Sequence, residues 1–87
     1  KETVVDKIEV LEMGQVQVRT ATRVLEDGVQ LSSSFHRHVI VPSIMTDGSW
    51  ADTDISGEDA RVQAIATATW TSAVKTAYQN MVDAQTL

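Results

Sequence analysis

The chain has 87 residues, 43% of them hydrophobic and 22% charged, with no cysteine and a net charge of −5. A chain of that length makes one domain that buries roughly 60–65% of its unfolded surface, enough for a modest core but not for a deep cleft. The absence of thiols excludes disulfides and thiolate chemistry, and the acidic balance argues against nucleic acid or an anionic membrane as partner, since phosphate groups are bound by Lys and Arg.

The negative charge is concentrated in the second half. Residues 1–41 carry five basic and six acidic side chains, whereas residues 42–87 set only Arg61 and Lys75 against six acids. No apolar run approaches the ~18 residues that a membrane helix needs. The sequence begins at Lys1 rather than Met, and processing or trimming at its front is expected.

The first half alternates with the period of two that marks strands. Val4, Ile8 and Val10 share one face, with Lys7 and Glu9 on the other, until Met13-Gly14 interrupts the pattern. Gln15 to Leu25 alternates again and is rich in β-branched residues, which suit a pleated, half-buried surface. Glu26-Asp27-Gly28 follows, and its Gly suits the positive φ of a hairpin turn. In the third segment, Val29, Leu31, Ser33, Phe35, Arg37, Val39 and Val41 alternate with Gln30, Ser32, Ser34, His36, His38 and Ile40. The apolar weight falls on the Phe35 side, which is the expected core face. Arg37 is the misfit there, and a bulge or an edge position near it would accommodate the charge.

Pro42 lacks the N–H that would continue a ladder, and residues 42–56 read as a polar loop. Ser56-Gly57-Glu58-Asp59 has the form of a helix start, with Ser56 as the expected cap and acids in the first turn. Val62, Ile65, Ala66 and Thr69 form one helical stripe, and Val74, Ala77, Tyr78, Met81 and Val82 form a second. A straight helix would present the two stripes on nearly opposite sides. The expected resolution is a break near Trp70-Thr71-Ser72, with Thr71 capping a second helix and Trp70 in the core; the alternative is an unbroken helix whose second stripe meets another subunit. The predicted fold is therefore α+β: a three-stranded antiparallel meander (about 4–12, 15–25 and 29–41), a loop over 42–56, and helices at about 57–69 and 72–84 packed on one sheet face.

Two patterns suggest metal chemistry, each weakly. His36 and His38 sit at i and i+2 and point to one side of a strand, so two imidazoles could chelate an ion, but the sequence supplies no third His or Cys. Asp52-Thr53-Asp54-Ile55-Ser56-Gly57 matches the front of a calcium loop through Asp52, Asp54 and Ser56, yet the twelfth position is Gln63 rather than a bidentate Glu. The plainer readings are a polar strand face and an acidic loop entering a helix, so no metal or cofactor is expected. There is neither a nucleophile elbow nor a phosphate-cradling Gly-rich loop, and no catalytic residues are assigned. His36, His38, Trp50 and Tyr78 are the candidate partner-contact residues, with anchoring of its own loop as the alternative and plainer role of Trp50, and the free edge of the sheet is a further candidate interface.

The run VLEMGQVQVRTATRVLEDGVQLSSSFHRHVIVP, followed by ISGEDARVQAIATATWTSAVKTAYQ, resembles a group of small stand-alone proteins encoded in tailed-bacteriophage genomes. They share an E-x-G-Q-V-Q-V-R-type strand, a Y/F-H-R-H-V strand ending at Pro, an acidic linker and a G-E-D-A-R-V-Q-A helix. The group has Pro-Gly after the third strand and Thr-Pro opening the last helix, where this chain has Pro42-Ser43 and Thr71-Ser72. The resemblance implies phage origin and a place in the virion, in a tail, fibre, baseplate or capsid surface, and it brings no catalytic residues. Expected partners are other virion proteins or further copies of the chain. The alternative is a soluble accessory protein that binds a host or phage partner in the infected cell.

Overall fold

Two Asp-Gly pairs punctuate the chain. In the computed structural model, which describes residues 1–85, Asp27 and Gly28 have φ of 53° and 79°, and Asp47 and Gly48 have φ of 50° and 80°. Positive φ at both central positions is what a two-residue turn needs to match the right-handed twist of its strands. The first pair joins β2 (Val16–Glu26) to β3 (Val29–Ile40); β1 (Glu2–Val10) runs antiparallel along the other side of β2, giving the order β1-β2-β3. The second pair joins β4 (Ser43–Thr46) to β5 (Ser49–Asp52) in a separate two-stranded ribbon. The segment expected as a loop thus holds a hairpin, because Asp-Gly lies between short segments able to pair. Two helices follow, α1 (Ala60–Thr69) and α2 (Ser72–Gln85).

Two bulges decide which side chains meet the helices. Next to the turn, Glu26 faces Val29 and Leu25 faces Gln30; one step further Val24 faces Ser32, which leaves Leu31 as an extra residue. A slip of one residue moves every side chain of a strand to the opposite face. Beyond Leu31, therefore, Val16 and Val18 of β2 lie opposite Ile40 and His38, while Arg19 and Ala21 lie opposite Arg37 and Phe35. The expected core face of β3 is inverted. His38 and Ile40 share the side of buried Val16 and Val18, and Phe35 and Val39 are about half exposed on the other. The bulge falls at Leu31, six residues before Arg37, and β3 is an edge strand, which is the other accommodation expected for that charge. A second shift, at Asp6 in β1, sets Val5 opposite Thr20 and Ile8 opposite Val18, so Val5 rather than Val4 joins Ile8 against the core.

The core is thin: Val16 and Val18 from β2, with Val62 and Ala66 from α1 and Trp70 at its C-cap, are supported by half-buried Val5, Ile8, Ile40, Ile55 and Val74. Val62, Ala66 and Trp70 stand four residues apart and form a single spine along the helix. The helix start is capped by Asp59, whose carboxylate accepts the Arg61 N–H at 2.9 Å. Ser56, the expected cap, instead donates its backbone N–H to Asp54 at 2.9 Å. At the other end α1 stops at Trp70, and Thr71 caps α2 by accepting the Val74 N–H on its hydroxyl at 3.3 Å. The helix break is where the two misaligned stripes required it.

α2 packs mainly on the β4–β5 ribbon. Gln79 donates to the hydroxyl of buried Ser43 at 3.1 Å, and Lys75 pairs with Asp52 at 3.0 Å. The β2–β3 ribbon projects past the helices, so the molecule measures 54 × 25 × 24 Å. Its radius of gyration of 16.2 Å exceeds the ~12 Å of a compact chain of this length.

Gly14, between β1 and β2, is where sheet and helices lock. It has φ of 89°, and a Cβ there would lie 2.6 Å from Val74 Cγ1 and 2.9 Å from Pro42 Cγ. Gly14→Ala is expected to cost about 2–4 kcal/mol, combining left-handed backbone strain with overpacking. Gly28→Ala, also at positive φ but with open space around its Cβ, is expected to cost only about 1–2 kcal/mol. Urea unfolding of the two variants beside the parent chain checks the difference.

Candidate interaction surface

The sequence-predicted residues separate into two internal contacts and a turn. His38 is half-buried, and its Nε2 lies 2.8 Å from Glu58 Oε1, which ties β3 to the segment leading into α1. His36 stands beside it, exposed, with ring centroids 6.3 Å apart and planes tilted by 30°. Both point to the side of the sheet that α1 covers, opposite the face on which partner contact was expected. Glu58 supplies a carboxylate near His38, but among the described residues no group of three His, Cys, Asp or Glu converges on a metal position.

Asp52, Asp54 and Ser56 are likewise not gathered around a point. Asp52 ends β5 and is engaged by Lys75. Asp54 turns back on its own chain, and the Ser56 backbone N–H holds its carboxyl below the ordinary range. Trp50 and Tyr78 meet each other edge to face, with centroids 6.3 Å apart and planes at 75°. That contact fastens the β4–β5 ribbon to α2, and both rings are half-buried in making it.

The surface that stands open is the other side of the sheet. Directly opposed residues form rows across the three strands: Val4, Ala21 and Phe35, with Ala21 itself buried; Lys7, Arg19 and Arg37; Glu9, Gln17 and Val39. Arg19 organises the centre. Its Nε donates to Asp6 Oδ1 at 2.9 Å and its Nη2 to Asp6 Oδ2 at 2.8 Å, a bidentate pair, while the guanidinium carbon lies 4.5 Å from the Phe35 ring centroid. The bulge at Asp6 brings that carboxylate onto the Arg19 side, next to Lys7. Arg23 pairs with Glu2 and Lys7 with Glu9, each at 2.9 Å. Arg37 makes no ion pair among the described residues and, with Val39, borders a shallow depression also lined by Lys7, Gln17 and Arg19. Toward the ribbon tip Leu25 is exposed on this face, Leu31 at the bulge, and Val24 and Val29 on the other side.

This face escaped the sequence reading because the Leu31 bulge was not foreseen. Phe35 and Val39 were assigned to the core, and the basic row is visible only once the register aligns Lys7, Arg19 and Arg37. The signal available beforehand was Arg37 itself, a charge placed among apolar neighbours.

The chain matches no family model, no curated protein and no solved structure.

The Asp6–Arg19 pair sets an expectation for acid stability. The hydrogen bonds from Arg19 hold the Asp6 carboxyl below its ordinary value of 3.8. A carboxyl depressed by folding stabilises the folded state above its unfolded pKa, and the contribution disappears as pH falls through the lower, folded one. Melting temperature followed from neutral pH downward should therefore show a smaller acid-dependent loss in Asp6→Asn than in the parent chain, since the variant lacks the titrating group. Superimposable profiles would show that the pair does not contribute to acid stability.

Proposed function

We propose that this chain is a non-catalytic interaction protein that works through the open sheet face and the projecting β2–β3 ribbon. One observation carries the reading: in a small domain with a thin core, Val24, Leu25, Val29, Leu31, Phe35 and Val39 all remain exposed along one ribbon. Leu25, Phe35 and Val39 belong to the open face, and Val24 and Val29 to the other side of the same ribbon; so much exposed apolar surface on one projecting element is costly in water and marks a contact site. The polar groups around it suit a protein surface, with a stacked Arg19–Phe35 pair at the centre and the uncommitted Arg37 guanidinium beside it.

The setting we propose is the virion of a tailed phage, with other virion proteins or further copies of the chain as partners. Support for it is the resemblance of EMGQVQVR, FHRHV and GEDARVQA to the phage group. These segments include residues that hold the fold together, among them Gly14, His38, Glu58 and Arg61. Mass spectrometry of purified particles is expected to find the protein in fixed stoichiometry. Its absence from particles, with recovery in a soluble complex from infected-cell lysate, would replace the virion assignment with an accessory role.

A further inference from the structure

The two outer strands of the main sheet are treated very differently. β1 is blunted by the shift at Asp6, by the charges of Glu2, Asp6, Lys7 and Glu9, and by Arg61, whose Nη2 donates to the Val5 carbonyl at 2.6 Å. Such devices stop an edge from recruiting another strand. β3 has none of them from Ser32 to Ile40: its register with β2 is unbroken, it holds no Pro, Lys, Asp or Glu, and Arg37 is its one permanently charged side chain. The open stretch is bounded on one side by the bulge at Leu31 and on the other by the Thr53 hydroxyl, which donates to the Val41 carbonyl at 2.6 Å. Between these limits Leu31 to Val39 offers ~30 Å of strand edge, with Phe35 at its midpoint.

We propose that β3 pairs antiparallel with β3 of a second copy across a two-fold axis at Phe35, giving a six-stranded sheet in the order β1-β2-β3-β3-β2-β1. The choice of a second copy rests on the sequence of the strand, which matches itself when reversed about that residue. Phe35 then faces Phe35, Ser34 faces His36, Ser33 faces Arg37, Ser32 faces His38 and Leu31 faces Val39. Apolar residues oppose apolar ones, polar oppose polar, and no like charges meet directly. A different register that set Arg37 against Arg37 would oppose two cations. Phe35, Val39 and Leu31, at 50%, 53% and 59% exposure, are the residues such a pairing would cover. The two-fold stands perpendicular to the sheet, so both α1 helices remain on one side and the two open faces merge on the other. A self-complementary interface of this kind closes at two copies.

The inference deepens the reading of the chain as an interaction protein and is tested separately from the particle assignment. Light scattering of the purified full chain over a concentration series should approach twice the monomer mass of 9.5 kDa. The chain has no cysteine, so a single introduced thiol reports unambiguously. Opposed residues in an antiparallel pair have Cα atoms about 4.5–5.5 Å apart, within disulfide range, so Phe35→Cys should give a covalent dimer under mild oxidation. Ser33→Cys should not, because its mate lies four residues along the partner strand, about 14 Å away. Phe35→Lys sets two cations opposite each other and is expected to weaken dimerisation about tenfold with unchanged far-UV ellipticity. A monomeric mass throughout the series, a fixed mass of three or more copies, or equal cross-linking of Ser33→Cys and Phe35→Cys would each overturn the pairing. None of these results bears on whether the protein is found in particles.

Discussion

The indole of Trp70 is the joint on which the rest of the molecule depends. Its Nε1–H donates to the Gly14 carbonyl at 2.6 Å in a buried position, linking the end of α1 to the connection between β1 and β2. The same ring belongs to the core formed with Val16, Val18, Val62 and Ala66. Gly14 must lack a side chain for Val74 and Pro42 to come this close, so the start of α2 and the end of β3 are fixed by the same contact. A buried carbonyl without a partner costs roughly 1–3 kcal/mol, a large share of what a small domain has in reserve. The helix break is thus part of the packing: it brings Trp70 onto Gly14 and lets the second apolar stripe turn toward the β4–β5 ribbon.

A single joint and one layer of helix leave the sheet covered on one side only. α1 reaches Val5, Ile8, Val16, Val18 and Ile40, and its Arg61 and the preceding Glu58 secure β1 and β3 at the margins. The histidine pair belongs to this covered side. His38 acts as a clip to Glu58, and Trp50 anchors the β4–β5 hairpin on Tyr78, so side chains that stood out in the sequence also hold the domain together. The surface we propose for contact has the opposite profile: Phe35 and Val39, apolar yet exposed, and the Lys7–Arg19–Arg37 row.

Much of the architecture was legible because it depends on local signals. Alternation marked the three strands, Asp27-Gly28 marked the hairpin, and the phase mismatch of two helical stripes located the break at Trp70 within a residue or two. The facing of β3 was not legible, since one extra residue at Leu31 inverts it and its composition does not announce a bulge. Had Glu26–Val29 pairing continued without a slip, Val18 would have faced Arg37 and the apolar side of β3 would have lain under α1. Val4 gave way to Val5 for the same reason at Asp6. The β4–β5 hairpin was hidden by its brevity, four residues on each side of Asp47-Gly48, and the cap moved from Ser56 to Asp59 because both residue types serve equally well. The candidate surface therefore came from register, which long-range pairing sets and a single strand pattern does not reveal.

The most direct test of this account is the stability of Trp70→Phe. The substitution keeps an aromatic ring in the core, removes the donor to Gly14 and leaves Trp50 as the only tryptophan. Urea unfolding followed by Trp50 fluorescence, which reports on the β4–β5 ribbon against α2, and by far-UV ellipticity should show both transitions moving together to lower denaturant. The expected loss is about 1–3 kcal/mol. A variant as stable as the parent, or a shift in only one of the two signals, would contradict the view that this hydrogen bond joins sheet, ribbon and helices into one cooperative unit.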